Sequence, residues 1–243
     1  MSDLRHCTGA GEPLNPEVMR AWEDGTGLRI YDGYGQTETA LLVANYRCMD
    51  IRPGSMGKPA PGFHVAIVDD DGNELPPHEE GQIAVSIKPQ RPVGLLKEYW
   101  KDPEAMESSF RGNWYFTGDK AYKDQEDYFW FVGRADDVII SAGYRIGPFE
   151  VESALVEHPA VAESAVVASP DEMRGSIVKA FIILAPGYVP SEELTRSIQE
   201  HVRSVTAPFK YPRVIEYVSE LPKTISGKIR RVELREQEER RLT

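Results

Sequence analysis

Between residues 52 and 94 proline and glycine recur so often that no long helix can run through the stretch. Proline removes a backbone donor and clashes with the preceding turn, and glycine carries the largest entropic cost of ordering. What lies between these breakers is short and alternating. FHVAIVD (63–69) alternates and then meets the turn cluster Asp70-Asp71-Gly72-Asn73. QIAVSI (82–87) and YFWFVG (128–133) have the same character. The first half is predicted to be β-rich with short connections.

The second half follows another rule. Pro148 suits a first helical position, and Val151, Ala154 and Leu155 then fall on one helical face. ESAVVAS (163–169), SIVKAFIIL (176–184) and RVIEYV (213–218) read as strands. Ser191 is placed as an N-cap, with Leu194, Ile198 and Val202 following at a spacing of four. A charged helix is expected to close the chain. Helices alternating with strands over about 100 residues predict a small α/β unit with its own core. The boundary is set near Gly133–Asp137.

Composition narrows the function. Acidic residues outnumber basic ones by 39 to 28, a net charge of −11, which argues against a nucleic-acid partner. No apolar run approaches a membrane span, so no stable membrane insertion is expected. Cys7 and Cys48 form no CxxC pair, and the five histidines show no zinc-ligand spacing. A reducing cytoplasm is the expected location, with a mitochondrial matrix as the alternative in a eukaryote.

Four segments carry residue types suited to chemistry. In YDGYGQTET (31–39) two glycines flank Tyr34, and Thr37 and Glu38 follow. Glycine admits close approach of backbone to a ligand, an aromatic ring can stack on a base, and a carboxylate can hold Mg²⁺. Read alone, it is also an ordinary Gly-rich turn. In WYFTGD (114–119) Asp119, at a strand end, could accept both hydroxyls of a ribose or merely form a turn. GRADDVIISAGYRIGPFEVE (133–152) gathers Arg134, Asp136, Asp137 and Arg145 around glycines, as phosphate binders or as solvated loop charges. LPKTISGKIRR (221–231) puts Lys228 after a Thr/Ser/Gly loop, poised for an anion or simply exposed.

Each segment is ambiguous, but their order is specific. YGQTE, YFTGD, GRADD…GYRIGPFEVE and PKTISGK, in that sequence, resemble the adenylate-forming (acyl/AMP ligase) superfamily, and in particular the C-terminal half of an acyl-CoA synthetase. The resemblance runs from GAGEPL (9–14) almost to the end. KPQRPVGLLKEYW (88–100) and GYRIGPFEVESALVEHPAVAESAVV look most like the medium-chain branch. The implied fold is α/β (α+β). Residues 1–133 would be the β-rich end of a large adenylating domain, 134–137 a hinge, and 138–243 a small mobile lid domain.

The resemblance also implies roles. Gly9, Ala10, Gly11 and Glu12 would lie beside the adenine of ATP or AMP. Asp32, Gly33, Tyr34, Gly35, Gln36 and Thr37 would line the nucleotide. Thr37, Glu38 and Lys228 are the expected catalytic residues, with Glu38 on Mg²⁺. Asp119 and Arg134 would hold the ribose, and Arg145 the phosphate. Asp136 is the expected hinge. Ala142, Gly143 and Tyr144 would line the path of coenzyme A, and Arg174, Arg203, Tyr211, Pro212 and Arg213 would also bind it. Gly35 stands where acetate-specific relatives resemble one another in carrying Trp, which implies larger acids. Many relatives carry Lys where this chain has Ile140; the medium-chain branch does not.

The implied activity is ATP-dependent ligation of a small carboxylic acid, medium-chain fatty or similar, to CoA through an acyl-adenylate. The oligomeric state is left open. The family's phosphate-binding loop, Ser/Thr/Gly-rich and ending in Pro-Lys, is not found here; the one Pro-Lys is Pro222-Lys223. This chain alone is therefore expected to show little ligase turnover. Two other readings stand beside this one: an adenylating domain that loads a carrier protein, and a non-catalytic module that binds a nucleotide or CoA.

Overall fold

The computed structural model describes residues 3–225 and 227–241. The chain divides into two compact units, Met1–Ala135 and Asp136–Thr243.

Unit 1 opens with β1 (Cys7–Ala10), α1 (Pro16–Thr26) and β2 (Ile30–Gly35), and β1 and β2 pair in parallel. Helix α1 begins where Asn15 accepts the Glu17 amide at 2.7 Å and Pro16 fills the first turn; it ends at Gly27 in the left-handed region. Antiparallel strands follow: β3 (Leu41–Ala44), β4 (Ser55–Pro59), β5 (Val65–Val68) and β6 (Gly81–Ser86). The short α2 (Pro103–Ser109) leads to β7 (Phe110–Arg111), β8 (Trp114–Lys123) and β9 (Phe129–Arg134). Among the described residues these strands make one sheet in the order β1-β2-β3-β4-β9-β8-β6-β5, with β7 on β8. The predicted strands lie where the alternation put them. The first is shorter, because Phe63 and His64 precede the ladder.

Unit 2 has the hairpin β10 (Ile139–Ser141) and β11 (Tyr144–Ile146), then α3 (Pro148–Val156), β12 (Val161–Asp171), β13 (Gly175–Leu184), α4 (Glu192–Val205), β14 (Val214–Tyr217) and α5 (Arg231–Arg240). Ser191 caps α4 by accepting the Leu194 amide at 3.1 Å. The three-stranded sheet β12-β13-β14 is covered on both faces. Val166, Val178, Ala180 and Ile182 pack with Val151, Leu155, Ile198 and Val202 of α3 and α4. Ala165, Val167 and Phe181 point the other way, toward Leu221 and Leu234 of α5. Double-sided burial explains why SIVKAFIIL is almost continuously apolar.

The exception in that run is Lys179, 2% exposed. Its ammonium meets Glu238 of α5 at 2.7 Å and Glu216 of β14 at 2.8 Å. Glu238 also accepts from the Ser169 hydroxyl at 2.9 Å and pairs with Arg241 at 3.1 Å. The Arg241 guanidinium, joined by Lys179, holds the Glu216 carboxyl below its ordinary range. Arg231 grips Glu152 of α3 with two bonds, of 2.7 and 3.0 Å, and Glu152 also accepts the Val166 amide at 2.8 Å. Helix α5 is thus fastened by charge on both sides of Leu234. Breaking one partner of a buried pair strands the other charge, so Glu238→Ala should destabilise unit 2 by about 3–5 kcal/mol. Urea unfolding followed in unit 2 tests this; a loss under about 1 kcal/mol, the range of an exposed pair, would contradict it.

Candidate functional site

In unit 1 the candidate residues converge at the carboxyl ends of β1 and β2. The parallel register sets Gly9 opposite Asp32 and Ala10 opposite Gly33, so Gly9 to Glu12 emerge beside the segment 32–35. Residues 31–35, which the sequence suggests as a loop, are strand. Beyond them the chain turns at once, with the Thr39 hydroxyl accepting the Gln36 amide at 2.9 Å. Thr37 lies exposed in this turn, and Glu38 is half-buried.

The side chains then lock across the sheet. Tyr34 donates its hydroxyl to Asp119 Oδ2 at 2.6 Å, and Gln36 donates to the same oxygen at 2.7 Å and to the Thr117 carbonyl at 2.8 Å. Tyr115 donates to Gln36 Oε1 at 3.1 Å, which fixes the amide's orientation. The Tyr99 hydroxyl reaches Glu38 at 3.4 Å. Burial, reinforced by the Asp119 charge, pushes the Tyr34 phenol well above its usual range; burial does the same for Tyr115. Both remain protonated donors at neutral pH.

Asp119 is not at a strand end, as its place after Gly118 suggests. It lies inside the ten-residue β8, directly opposite Arg134 of β9. Gly118 has φ +78°, a backbone state that only glycine takes cheaply, and its carbonyl accepts the Ala135 amide at 2.9 Å. Asp119 is buried, and its second carboxylate oxygen lies 3.6 Å from Nε of the more exposed Arg134. A fixed carboxylate beside a guanidinium is a fitting partner for a diol or a phosphate ester.

Gly35 does not leave the open space that its sequence position implies. A Cβ there would lie 2.5 Å from the Ala40 carbonyl oxygen, so any side chain requires the 36–40 turn to move.

In unit 2 the residues expected near CoA form a second group. Ala142 and Gly143, at φ +49° and +85°, are the central pair of the β10–β11 hairpin, the geometry of a type I′ turn. The Ala142 amide donates to the Arg174 carbonyl at 3.1 Å, so the turn abuts the β12–β13 connection. Tyr144 stacks on Phe209, centroids 4.2 Å apart. Arg203 lies over the Tyr211 ring at 4.0 Å, and Arg213 donates to the Tyr211 hydroxyl at 3.1 Å. Pro212 is buried, its carbonyl accepting from Gln199 at 3.0 Å. Arg145 is exposed on β11 opposite Ile140. Lys228 is exposed in a closed loop: Lys223 bridges to Ile229, the Lys228 amide donates to the Thr224 hydroxyl at 3.1 Å, and its carbonyl accepts the Thr224 amide at 2.8 Å. Ser226 of this motif lies outside the described residues.

Two family models match in chain order. The AMP-binding enzyme model covers residues 1–100, and that of the AMP-binding enzyme C-terminal domain covers 150–228. The chain belongs to the AMP-binding enzymes. It is 59% identical over 239 residues to the rat protein "Acyl-coenzyme A synthetase ACSM3, mitochondrial", covering 98% of this chain and 41% of that protein. The human "Acyl-coenzyme A synthetase ACSM4, mitochondrial" is 57% identical over 238 residues, 97% of this chain and 41% of the relative. Among solved structures, the anthranilate CoA ligase AuaEII in complex with anthranoyl-AMP superposes with a TM-score of 0.89 at 41% identity, over 98% of this chain and 44% of that one. A benzoate CoA ligase from Burkholderia xenovorans gives 0.83 at 35% identity, over 96% and 45%. The chain thus spans about two fifths of the length of the curated relatives it matches.

Some residues of this AMP-binding enzyme chain that matter to the site give no sequence signal of their own. Tyr99 and Tyr115 reach Glu38 and Gln36 through tertiary contacts. Phe209 stands just before the triplet Tyr211-Pro212-Arg213, and only the fold turns its ring onto Tyr144. The sequence places Asp32 among the nucleotide residues but says nothing of its environment. Burial pushes its carboxyl up to about 7, against the opposing pull of the Gly33 and Leu14 amides. A raised carboxyl opposes folding progressively as pH climbs from its unfolded value near 4 through about 7. Asp32→Asn should therefore gain on the parent chain between pH 5 and pH 8, by on the order of 2–3 kcal/mol. Chemical unfolding at both pH values measures it. A difference that does not change with pH would show that Asp32 keeps an ordinary carboxylate.

Proposed function

We propose that the chain forms the C-terminal part of an ATP-dependent carboxylic acid–CoA ligase that works through an acyl-adenylate. The single observation that carries this reading is the lock at Asp119. Two residues of the YGQTE segment, Tyr34 and Gln36, donate to one of its oxygens, and Arg134 stands against the other. A ribose-holding carboxylate is thereby tied to the segment assigned to the α-phosphate. The relatives' names, and the acyl-AMP bound to AuaEII, support the same chemistry.

In this mechanism an oxygen of the substrate carboxylate attacks the α-phosphorus of ATP and pyrophosphate leaves. Negative charge gathers there, and fixed donors and cations are worth most at that point. Lys228 supplies the cation and Thr37 a hydroxyl at the α-phosphate. Asp119 and Arg134 hold the ribose, and Arg145 faces the phosphate. Mg²⁺ is held by one or two carboxylates and otherwise by phosphate and water oxygens. Glu38 is the residue that would hold it, where it would neutralise phosphate charge. In the second step the thiolate of CoA attacks the acyl carbonyl and AMP leaves. The Ala142–Gly143 turn lines its approach, and Arg174, Arg203 and Arg213 meet its phosphates. These arginines favour CoA over a bare carrier protein as acceptor.

The unit boundary at Ala135–Asp136 is the pivot between the two steps, with unit 2 as a lid that also excludes water. The substrate is a medium-chain or similar-sized acid. The setting is a mitochondrion, in keeping with the relatives' printed names.

Both half-reactions in the full-length protein test the reading. Lys228→Ala should slow adenylation about 10²–10³-fold and use supplied acyl-adenylate nearly normally. Gly143→Leu should form adenylate and fail to transfer it. A Cβ at Gly143 meets nothing within 4 Å, so the hairpin can persist at a conformational cost of about 1–2 kcal/mol. If each variant slows both halves equally, the division of labour is wrong.

A further inference from the structure

The crossing between the units is a single peptide, and it is tied down on each side. On the unit 1 side the Ala135 amide donates to the Gly118 carbonyl at 2.9 Å. On the unit 2 side both acidic residues that follow, Asp136 and Asp137, form ion pairs with one side chain, Arg235 of α5. The Asp136 contact is 3.4 Å and exposed; Asp137 and Arg235 are largely withdrawn from solvent. The guanidinium thus links the first residues of unit 2 to a helix more than ninety positions later.

That helix is fastened at several points along its length. Arg231, one turn earlier on the same face, is bidentate to Glu152; Leu234 is buried; Glu238 is bound to Lys179, Ser169 and Arg241. The Lys228 loop enters α5 directly, and Arg230 donates its amide back to Pro222 at 2.8 Å. One rigid helix therefore carries the lysine loop at its start and grips the crossover one turn further on. A loose crossover would let the lysine loop wander relative to whatever unit 1 holds.

We propose that Arg235 is a positioning residue: it clamps Asp136 and Asp137 to α5, so that bending at the crossover is confined to the Ala135–Asp136 link and the Lys228 loop moves with it as one body. The proposal rests on the two-step reading above, since only a moving unit needs a defined pivot. Arginine suits the task because its planar fork serves two carboxylates at once.

The test combines hydrogen exchange with half-reaction kinetics in the full-length protein. Arg235→Met should speed exchange of the amides at 136–138, whereas Arg231→Met, which loosens α5 but leaves both crossover ion pairs in place, should do so much less. Arg235→Met should lower kcat for adenylation about tenfold or more with KM for ATP little changed, as expected when a catalytic group is misplaced and substrate binding is left intact. Arg235→Lys should recover part of this. Asp137→Asn should give a similar loss, and the double variant should be no worse than the worse single one. Unchanged exchange at 136–138 in Arg235→Met would overturn the clamp. So would losses that multiply in the double variant, or equal exchange in Arg231→Met. Lys228→Ala run in parallel separates the two ideas: intact adenylation there sinks the mechanistic reading, while the exchange data still decide the clamp.

Discussion

Everything in the candidate site of unit 1 depends on one carboxylate oxygen, Oδ2 of Asp119, which takes hydrogen bonds from Tyr34 and Gln36. A buried carboxylate is tolerated only when its oxygens are satisfied, and charge-assisted bonds of 2.6–2.7 Å are the strong kind. These bonds join β2 to β8 across the sheet, and Tyr115 and Thr117 close the ring around the Gln36 amide. The chain is held where it must leave β2 and turn, so Thr37 and Glu38 have defined positions despite lying beyond the strand.

Unit 2 solves a different problem. Its sheet has three strands and two buried faces, with α3 and α4 on one side and α5 on the other. The face under α5 is small, and the apolar contacts of Leu221 and Leu234 are supplemented by buried charge around Lys179. Such pairs add little net stability against an apolar alternative, but they are directional. They fix the rotation of α5, and the lysine loop and crossover contacts inherit that rotation.

Much of this is legible in the sequence, for identifiable reasons. Short apolar runs such as VAIV and IAV, bounded by turn residues, mark strands buried on both faces, and Ser191 with Leu194, Ile198 and Val202 marks both the start and the inner face of α4. The four motifs in order point to the family that the domain matches then give. What the sequence conceals is tertiary. Nothing local says that Asp119 sits inside a strand, because the break that Gly118 suggests is absorbed as a single residue of positive φ. Nothing local pairs Tyr115 with Gln36, 79 positions apart, or Arg235 with Asp137. The space at Gly35 also looks open in sequence, because a missing side chain does not reveal that the Ala40 carbonyl fills the gap.

The central claim is that the Asp119 lock presents a carboxylate to a ribose. Calorimetric titration of the full-length protein with AMP and with its 2′,3′-dideoxy analogue addresses this most directly. The account predicts that the unmodified protein binds AMP more tightly than the analogue by on the order of 1.5–3 kcal/mol, the worth of hydrogen bonds to a charged group, and that Asp119→Asn loses most of that discrimination. Equal discrimination in both proteins would place the ribose elsewhere and contradict the account.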